Sequence, residues 1–326
     1  MIIDRAAFEA LCHGILGASE SPDGALAPVR FTQRQLGFYS RTESDRIRSL
    51  ASAGACFACI TDATRLILDY EVAPGSSQDI YGFDVYASNE MIFHKQAKIS
   101  QEPSGTLEVA LPAGRKPVRL YLPNLAITKL RRLELENAYA LEAIKAKRWL
   151  MLGDSIIQGY TTGFASITLS NLLSLKLCIN LINQGMAGEV FNADFLDGDL
   201  GFVPGRIIAA YGTNDWNLRS AAEFAKEAER FIGRLAEIWP GVPVTLISPI
   251  WRVDASEPKT PGFEFSRIHE VLSEISAHYP NISLISGLGL LPPVKELFYD
   301  RLVHPNELGF LLYAKRLMEL TDRFKQ

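Results

Sequence analysis

Four short clusters in the second half of the sequence combine residue types that can do nucleophilic chemistry. They are Gly153-Asp154-Ser155-Ile156-Ile157-Gln158-Gly159, Asn183-Gln184-Gly185-Met186-Ala187-Gly188, Gly212-Thr213-Asn214-Asp215 and Asp300-Arg301-Leu302-Val303-His304-Pro305-Asn306. A serine hydroxyl is a poor nucleophile until a base takes its proton, and an imidazole that is neutral near pH 7 can do so. Each cluster alone has an ordinary reading. A serine after Gly-Asp serves as a turn residue or N-cap, Asn-Asp after a strand serves as a turn, and a histidine before proline sits in a loop. Their joint occurrence, the first three each directly after an apolar run, singles them out.

Those apolar runs are the elements that must position the clusters. Arg148–Leu152, Ile179–Ile182, Arg206–Tyr211, Val242–Ile247 and Ile282–Ile285 read as short buried strands. Helical patterns lie between them. Ser220-Ala-Ala-Glu223 is a capping box, and Phe224, Ala228, Phe231, Leu235 and Ile238 mark one face of the helix that follows. Phe265–His278 and Asn306–Phe324 read as two more helices. Strands alternating with helices predict a parallel sheet in a three-layer α/β/α fold, with ligands at the carboxyl ends of the strands. The first half has a different texture. From about Phe31 to Glu136, apolar residues recur with period two, as in Phe83/Val85/Ala87, Leu107/Val109/Leu111, Val118/Leu120/Leu122 and Leu133/Leu135. Turn-rich pieces such as Ala73–Ser77, Glu102–Gly105 and Ala113–Pro117 separate them. This predicts an antiparallel β-sandwich or jelly roll, with a short helix in the first twenty or so residues. The period changes between residues 137 and 147, which divides the chain into a β domain at 1–144 and an α/β domain at 145–326.

The four clusters resemble the blocks of the SGNH (GDSL-type) hydrolase superfamily, in their order, over about residues 147–326. The resemblance implies a flavodoxin-like catalytic domain with Ser155 as nucleophile and His304 as base. It implies Gly188 and Asn214 as oxyanion-hole donors beside the backbone N–H of Ser155. A β-sandwich preceding such a domain is similar in layout to two-domain carbohydrate esterases of the acetyl-esterase kind. The implied activity is hydrolysis of an acyl ester, with an acetyl group on a carbohydrate expected, through an acyl-enzyme. The sequence departs from the family at one place. The family's aspartate stands three residues before the histidine, where this chain has Arg301, while Asp300 stands four before. Two solutions are open: a one-residue adjustment that brings Asp300 to the imidazole, or a backbone carbonyl that orients His304 and leaves a Ser–His dyad. The motif is not the G-x-S-x-G elbow of α/β-hydrolases, because position 157 is isoleucine.

Other residues carry smaller expectations. Asp154 and Asp215 read as loop hydrogen-bonders. Trp216, Trp251 and Arg252 follow strand ends, so they are candidate substrate-binding residues, with plain packing as the competing reading of the tryptophans. No phosphate loop is present, Gly287–Pro292 ends in proline where a dinucleotide fingerprint needs glycine, and His269-Glu270 lacks the second histidine of a zinc-protease helix. His13, His94 and His278 have no ligand spacing. No cofactor and no metal are implied. The four cysteines form no disulfide framework, and Cys56-Phe-Ala-Cys59 reads as structural. The chain has 326 residues, 33 Lys plus Arg and 37 Asp plus Glu, for a net charge of −4, which argues against a nucleic-acid partner. No apolar run approaches the ~18 residues of a membrane span, and the charged N-terminus is unlike a signal peptide, so a cytoplasmic location without membrane insertion is expected. A small-molecule or oligosaccharide ester is the expected partner; homo-oligomerisation is open. Two other readings compete: a lysophospholipase- or thioesterase-type acyl hydrolase or acyltransferase, and a carbohydrate-binding protein with a decayed site.

Overall fold

The computed structural model describes residues 1–320. The chain divides into two compact units, one of Met1–Lys147 with Gly163–Ser166 and Asn180–Asn183, the other of Arg148–Thr162, Ile167–Ile179 and Gln184 onward.

The first unit holds two antiparallel sheets. One orders its strands Gly17–Glu20, Leu26–Val29, Ala126–Glu136, Arg65–Pro74 and Ser104–Ala110. The other orders Cys12–His13, Cys56–Thr61, Lys116–Tyr121, Tyr81–Ala87 and Glu90–Ala97, with Leu141–Ala143 paired to Cys56–Thr61. The period-two residues face inward. Leu66 and Leu68 pair with Val109 and Leu107 on one side and with Leu135 and Leu133 on the other. They share one core with Phe57, Phe83, Val85, Val118 and Leu120 of the second sheet. Burying such side chains contributes about 1.5–3 kcal/mol each, which is what specifies the register. The expected N-terminal helix is Arg5–Leu11, capped by Asp4 and burying Phe8 and Leu11 in that core. Two further short helices interrupt the alternating region, Gln33–Tyr39 behind a Thr32/Gln35 capping box and Glu43–Ser49 behind Thr42. Cys56 and Cys59 are buried on one strand as free thiols, both pushed up to about 12 by burial.

The second unit is built on a parallel sheet. Its elements are β1 (Lys147–Gly153), α1 (Ser155–Gln158), α2 (Leu169–Leu177), β2 (Ile179–Gly185), β3 (Ile207–Ala210), α3 (Thr213–Leu218), α4 (Ala221–Ile238), β4 (Val244–Ile247), α5 (Arg267–Ser276), β5 (Ile282–Ile285) and α6 (Glu307–Leu320). The strand order is β2-β1-β3-β4-β5. Strands β1, β3 and β4 are buried along nearly their whole length, as their unbroken apolar runs require. The capping box of α4 forms as read, and Phe224, Ala228, Phe231 and Leu235 are buried while Ile238 is half-buried. The last expected helix is α6; its continuation to Phe324 lies outside the described residues. No helix among the described residues is long and apolar enough to cross a membrane.

Candidate active site

Strand order decides which loops meet. Because β1 lies between β2 and β3, the loop that carries Ser155 is flanked by the loop that carries Gly188 and by the helix start that carries Asn214. The turn out of β1 is tight. A Cβ at Gly153 would come within 2.2 Å of Ile157 Cγ1 and 2.8 Å of the Ala210 carbonyl oxygen, so only glycine fits. Asp154 then caps α1, its Oδ1 accepting from the Ile156 N–H at 2.9 Å. Burial pushes its carboxyl up to about 6, against the opposing pull of the Ile156 N–H and His304.

Ser155 Oγ stands 2.8 Å from His304 Nε2. His304 Nδ1 stands 2.7 Å from Asp300 Oδ2. A carboxylate only accepts, so Nδ1 carries the proton and Nε2 presents a lone pair to the serine. The one-residue offset of Asp300 has a visible solution. Its other oxygen, Oδ1, accepts from the backbone N–H groups of Leu302 (2.9 Å), Val303 (2.9 Å) and His304 (3.1 Å). The loop curls around the carboxylate, and Arg301 takes φ +54° to allow it. Partial burial alone would raise the Asp300 carboxyl, but His304 and the three N–H groups outweigh it and hold the group well below the usual carboxylate range. The ring of Tyr160 lies 5.2 Å from that of His304, tilted by 37°.

Gly188 sits at φ +86°, a conformation that favours glycine. The residues around it are tied down on every side. Met186 N–H donates to the Gly153 carbonyl at 3.0 Å and Glu189 N–H to the Met186 carbonyl at 3.1 Å. Ala187 N–H donates to Gln158 Oε1 at 2.8 Å, and Asn214 Nδ2 donates to the Glu189 carbonyl at 2.9 Å. Asn214 enters from α3, whose N-cap is Gly212 with φ +116°; a Cβ there would meet Pro249 Cγ at 2.9 Å. Asp215 is fully buried, accepts from the Phe191 N–H at 3.2 and 3.3 Å and pairs with Arg219. Burial raises its carboxyl to about 6, with Arg219 opposing.

The three expected substrate-binding residues are placed differently from one another. Trp216 is fully buried, and its indole N–H donates to the Phe263 carbonyl at 2.8 Å. Arg252 is also buried, with its guanidinium 5.0 Å over that indole. It pairs with Asp254 at 2.5 Å and donates to the Thr213 carbonyl at 3.2 Å. Neither side chain reaches open solvent, because each polar group they carry is spent on α3 and its surroundings. Trp251 is half-buried, with its ring 5.6 Å from that of Phe298, and Val253, two residues on, donates its N–H to the Leu302 carbonyl of the His304 loop at 2.9 Å. Sequence reasoning misses Gln158 and Tyr160; the signal for both is their place within or beside the Gly-bounded helix that starts at Ser155. Among the described residues, no group of three or more His, Cys, Asp or Glu is placed to hold a metal ion.

The chain is similar in family and in fold to known proteins. Residues 151–311 match the GDSL-like Lipase/Acylhydrolase family. No curated protein matches the chain. Among solved structures, a salicylyl-acyltransferase, SsfX3, from a tetracycline biosynthetic pathway superimposes with a TM-score of 0.81 at 23% identity, over 94% of this chain and 92% of that one. A family two carbohydrate esterase from Cellvibrio japonicus gives 0.64 at 16% identity, over 99% and 96%. An acetyl xylan esterase from Butyrivibrio proteoclasticus, Est2A, gives 0.63 at 12% identity, over 99% and 98%. At these identities the likeness is one of fold.

Proposed function

We propose, starting from residues 151–311 as a GDSL-like lipase/acylhydrolase domain that hydrolyses ester bonds, that the protein removes short acyl groups, acetyl foremost, from carbohydrate esters. The observation that carries the ester-cleaving part of this reading is the run of contacts Ser155 Oγ–His304 Nε2–His304 Nδ1–Asp300 Oδ2, at 2.8 and 2.7 Å.

His304 Nε2 takes the Ser155 proton as Oγ attacks the acyl carbonyl carbon. The resulting oxyanion is held by the backbone N–H groups of Ser155 and Gly188 and by the Asn214 amide. Losing one such donor typically costs about 3 kcal/mol of transition-state stabilisation. The imidazolium then gives its proton to the sugar oxygen, the carbon–oxygen bond breaks, and the acyl group stays on Ser155. Water, deprotonated at His304, attacks that acyl-enzyme and releases the carboxylic acid. Asp300 orients the imidazole and stabilises its charged form. Trp216 and Arg252 act by packing, holding the start of α3 and with it Asn214, while half-buried Trp251 stays the candidate aromatic platform for a sugar ring. The carbohydrate substrate is drawn from the two esterase neighbours, one of which is by name an acetyl xylan esterase.

Transfer to an alcohol in place of water is the second reading, favoured by the high TM-score of the acyltransferase. One experiment tests both. Turnover of p-nitrophenyl acetate, butyrate and long-chain esters is measured for the wild type and Ser155→Ala, alone and with added alcohol acceptors. Loss of turnover in Ser155→Ala and a short-chain preference support the esterase. Turnover that survives Ser155→Ala overturns the nucleophile assignment. A rate that depends on the acceptor, with acylated acceptor as the product, selects transfer.

A further inference from the structure

Gln158 stands three residues after Ser155 on α1, with none of its surface exposed. A primary amide in such a place costs stability unless both of its ends are satisfied. Among the described residues only one end finds a partner. Oε1 accepts from the Ala187 N–H at 2.8 Å, which also fixes which amide atom is the oxygen. Nε2 has no partner among the described residues. An apolar side chain of the same volume would fill the space but would take this acceptor from the buried Ala187 N–H, so the acceptor itself is what this position supplies.

That acceptor acts on the Gly188 loop. Ala187 is the residue on which the Ala187–Gly188 peptide hinges, and Gly188 has φ +86°, where torsional restraint from a side chain is lacking. Two amides therefore bracket the glycine: Gln158 holds the N–H before it, and Asn214 Nδ2 holds the Glu189 carbonyl after it at 2.9 Å. We infer that Gln158 is a positioning residue that aims the Gly188 N–H into the oxyanion hole from the nucleophile's own helix. The inference rests on the reading of Gly188 and Asn214 as oxyanion donors. It couples nucleophile and oxyanion donor mechanically, since a single four-residue helix carries both Ser155 and the group that sets the Gly188 peptide. A misplacement of about 1 Å in such a site costs roughly 100-fold in rate.

The test compares Gln158→Ala, Gln158→Glu and Gln158→Met with Asn214→Ala. In each, kcat is expressed per active site counted with a phosphonate that titrates the serine, so that misfolded protein does not enter the rate. Gln158→Ala is expected to lower kcat by about 10- to 100-fold with KM changed less than about threefold. Gln158→Glu keeps an oxygen at the acceptor position and restores kcat to within about fivefold of wild type, whereas Gln158→Met fills the volume without an acceptor and stays low. Gln158→Ala combined with Asn214→Ala loses less than the product of the two separate losses, because both hold the same loop. Rescue by methionine and not by glutamate would make the role one of packing and overturn the inference. So would a kcat within twofold of wild type for Gln158→Ala while Asn214→Ala loses about 100-fold. Wild-type kcat in Asn214→Ala overturns the oxyanion-hole reading itself, and the inference about Gln158 with it.

Discussion

Replacing Asp300 by asparagine probes the link between Asp300 and His304 with little change of shape. The substitution keeps an oxygen to accept from the Leu302, Val303 and His304 N–H groups, so the loop can retain its curl. It replaces the oxygen that faces His304 Nδ1 at 2.7 Å by an NH2 group. That group can only donate, so the neutral imidazole shifts its proton to Nε2, which then points a hydrogen at Ser155 Oγ, 2.8 Å away, where the reaction needs a lone pair. Loss of the anion also removes stabilisation of the imidazolium formed in the transition state. In the well-studied serine-protease triad the equivalent change lowers kcat by about 10⁴-fold. Asp300 is one-third exposed, so water can partly replace it, and a loss of about 10³-fold, near 4 kcal/mol, is the expected outcome. Asp300→Ala admits water to Nδ1 without imposing the wrong tautomer, and should lose less than Asp300→Asn. The assay is kcat for p-nitrophenyl acetate, with melting temperature as the control. If Asp300→Asn stays within tenfold of wild type, the carboxylate is dispensable and the catalytic unit is a Ser–His dyad.

Two further expectations follow from the same residues. Burial raises the Asp154 carboxyl from 3.8 to about 6, so the folded state binds its proton more tightly than the unfolded chain; the stability this group contributes is present below about pH 4 and is lost as pH rises through about 6. At 1.36 kcal/mol per tenfold change in proton affinity, the rise from 3.8 to about 6 makes that about 3 kcal/mol, and Asp154→Asn should flatten the pH dependence of the melting temperature between pH 4 and 6.5; an unchanged dependence would contradict it. If half-buried Trp251 offers its face to a sugar, Trp251→Ala raises KM for an acetylated xylo-oligosaccharide about 3- to 10-fold and leaves KM for p-nitrophenyl acetate unchanged; an equal rise for both substrates removes Trp251 from the sugar site.

Much of the fold is legible because burial leaves a period. Leu66, Leu68, Leu107 and Val109 alternate because one face of their sheet is covered, and β1 and β3 run apolar without a break because both of theirs are. Gln33–Tyr39 and Glu43–Ser49 are not legible as helices, since seven residues give barely two turns of periodicity; only their caps, Thr32 with Gln35 and Thr42, announce them. The site is legible as a set of loops and less so as a set of directions. A place after a strand end suits both a pocket wall and a buried anchor, and Trp216 and Arg252 are anchors because the indole N–H and the guanidinium find carbonyls and Asp254 inside. Spacing alone cannot decide Asp300, because the outcome depends on Arg301 adopting a positive φ and on three N–H groups converging on one oxygen. Gln158 is hidden for a similar reason: its partner, Ala187, is 29 residues away and on another loop.

The central claim is that Ser155 is the nucleophile of an ester-cleaving site, and covalent labelling tests it most directly. The wild-type protein is treated with a fluorophosphonate, digested, and mapped by mass spectrometry while residual esterase activity is followed. One phosphonyl group on Ser155, gained in proportion to the activity lost and absent from Ser155→Ala, is the predicted result. Full activity with Ser155 labelled, or loss of activity with the label on another residue, would contradict the claim.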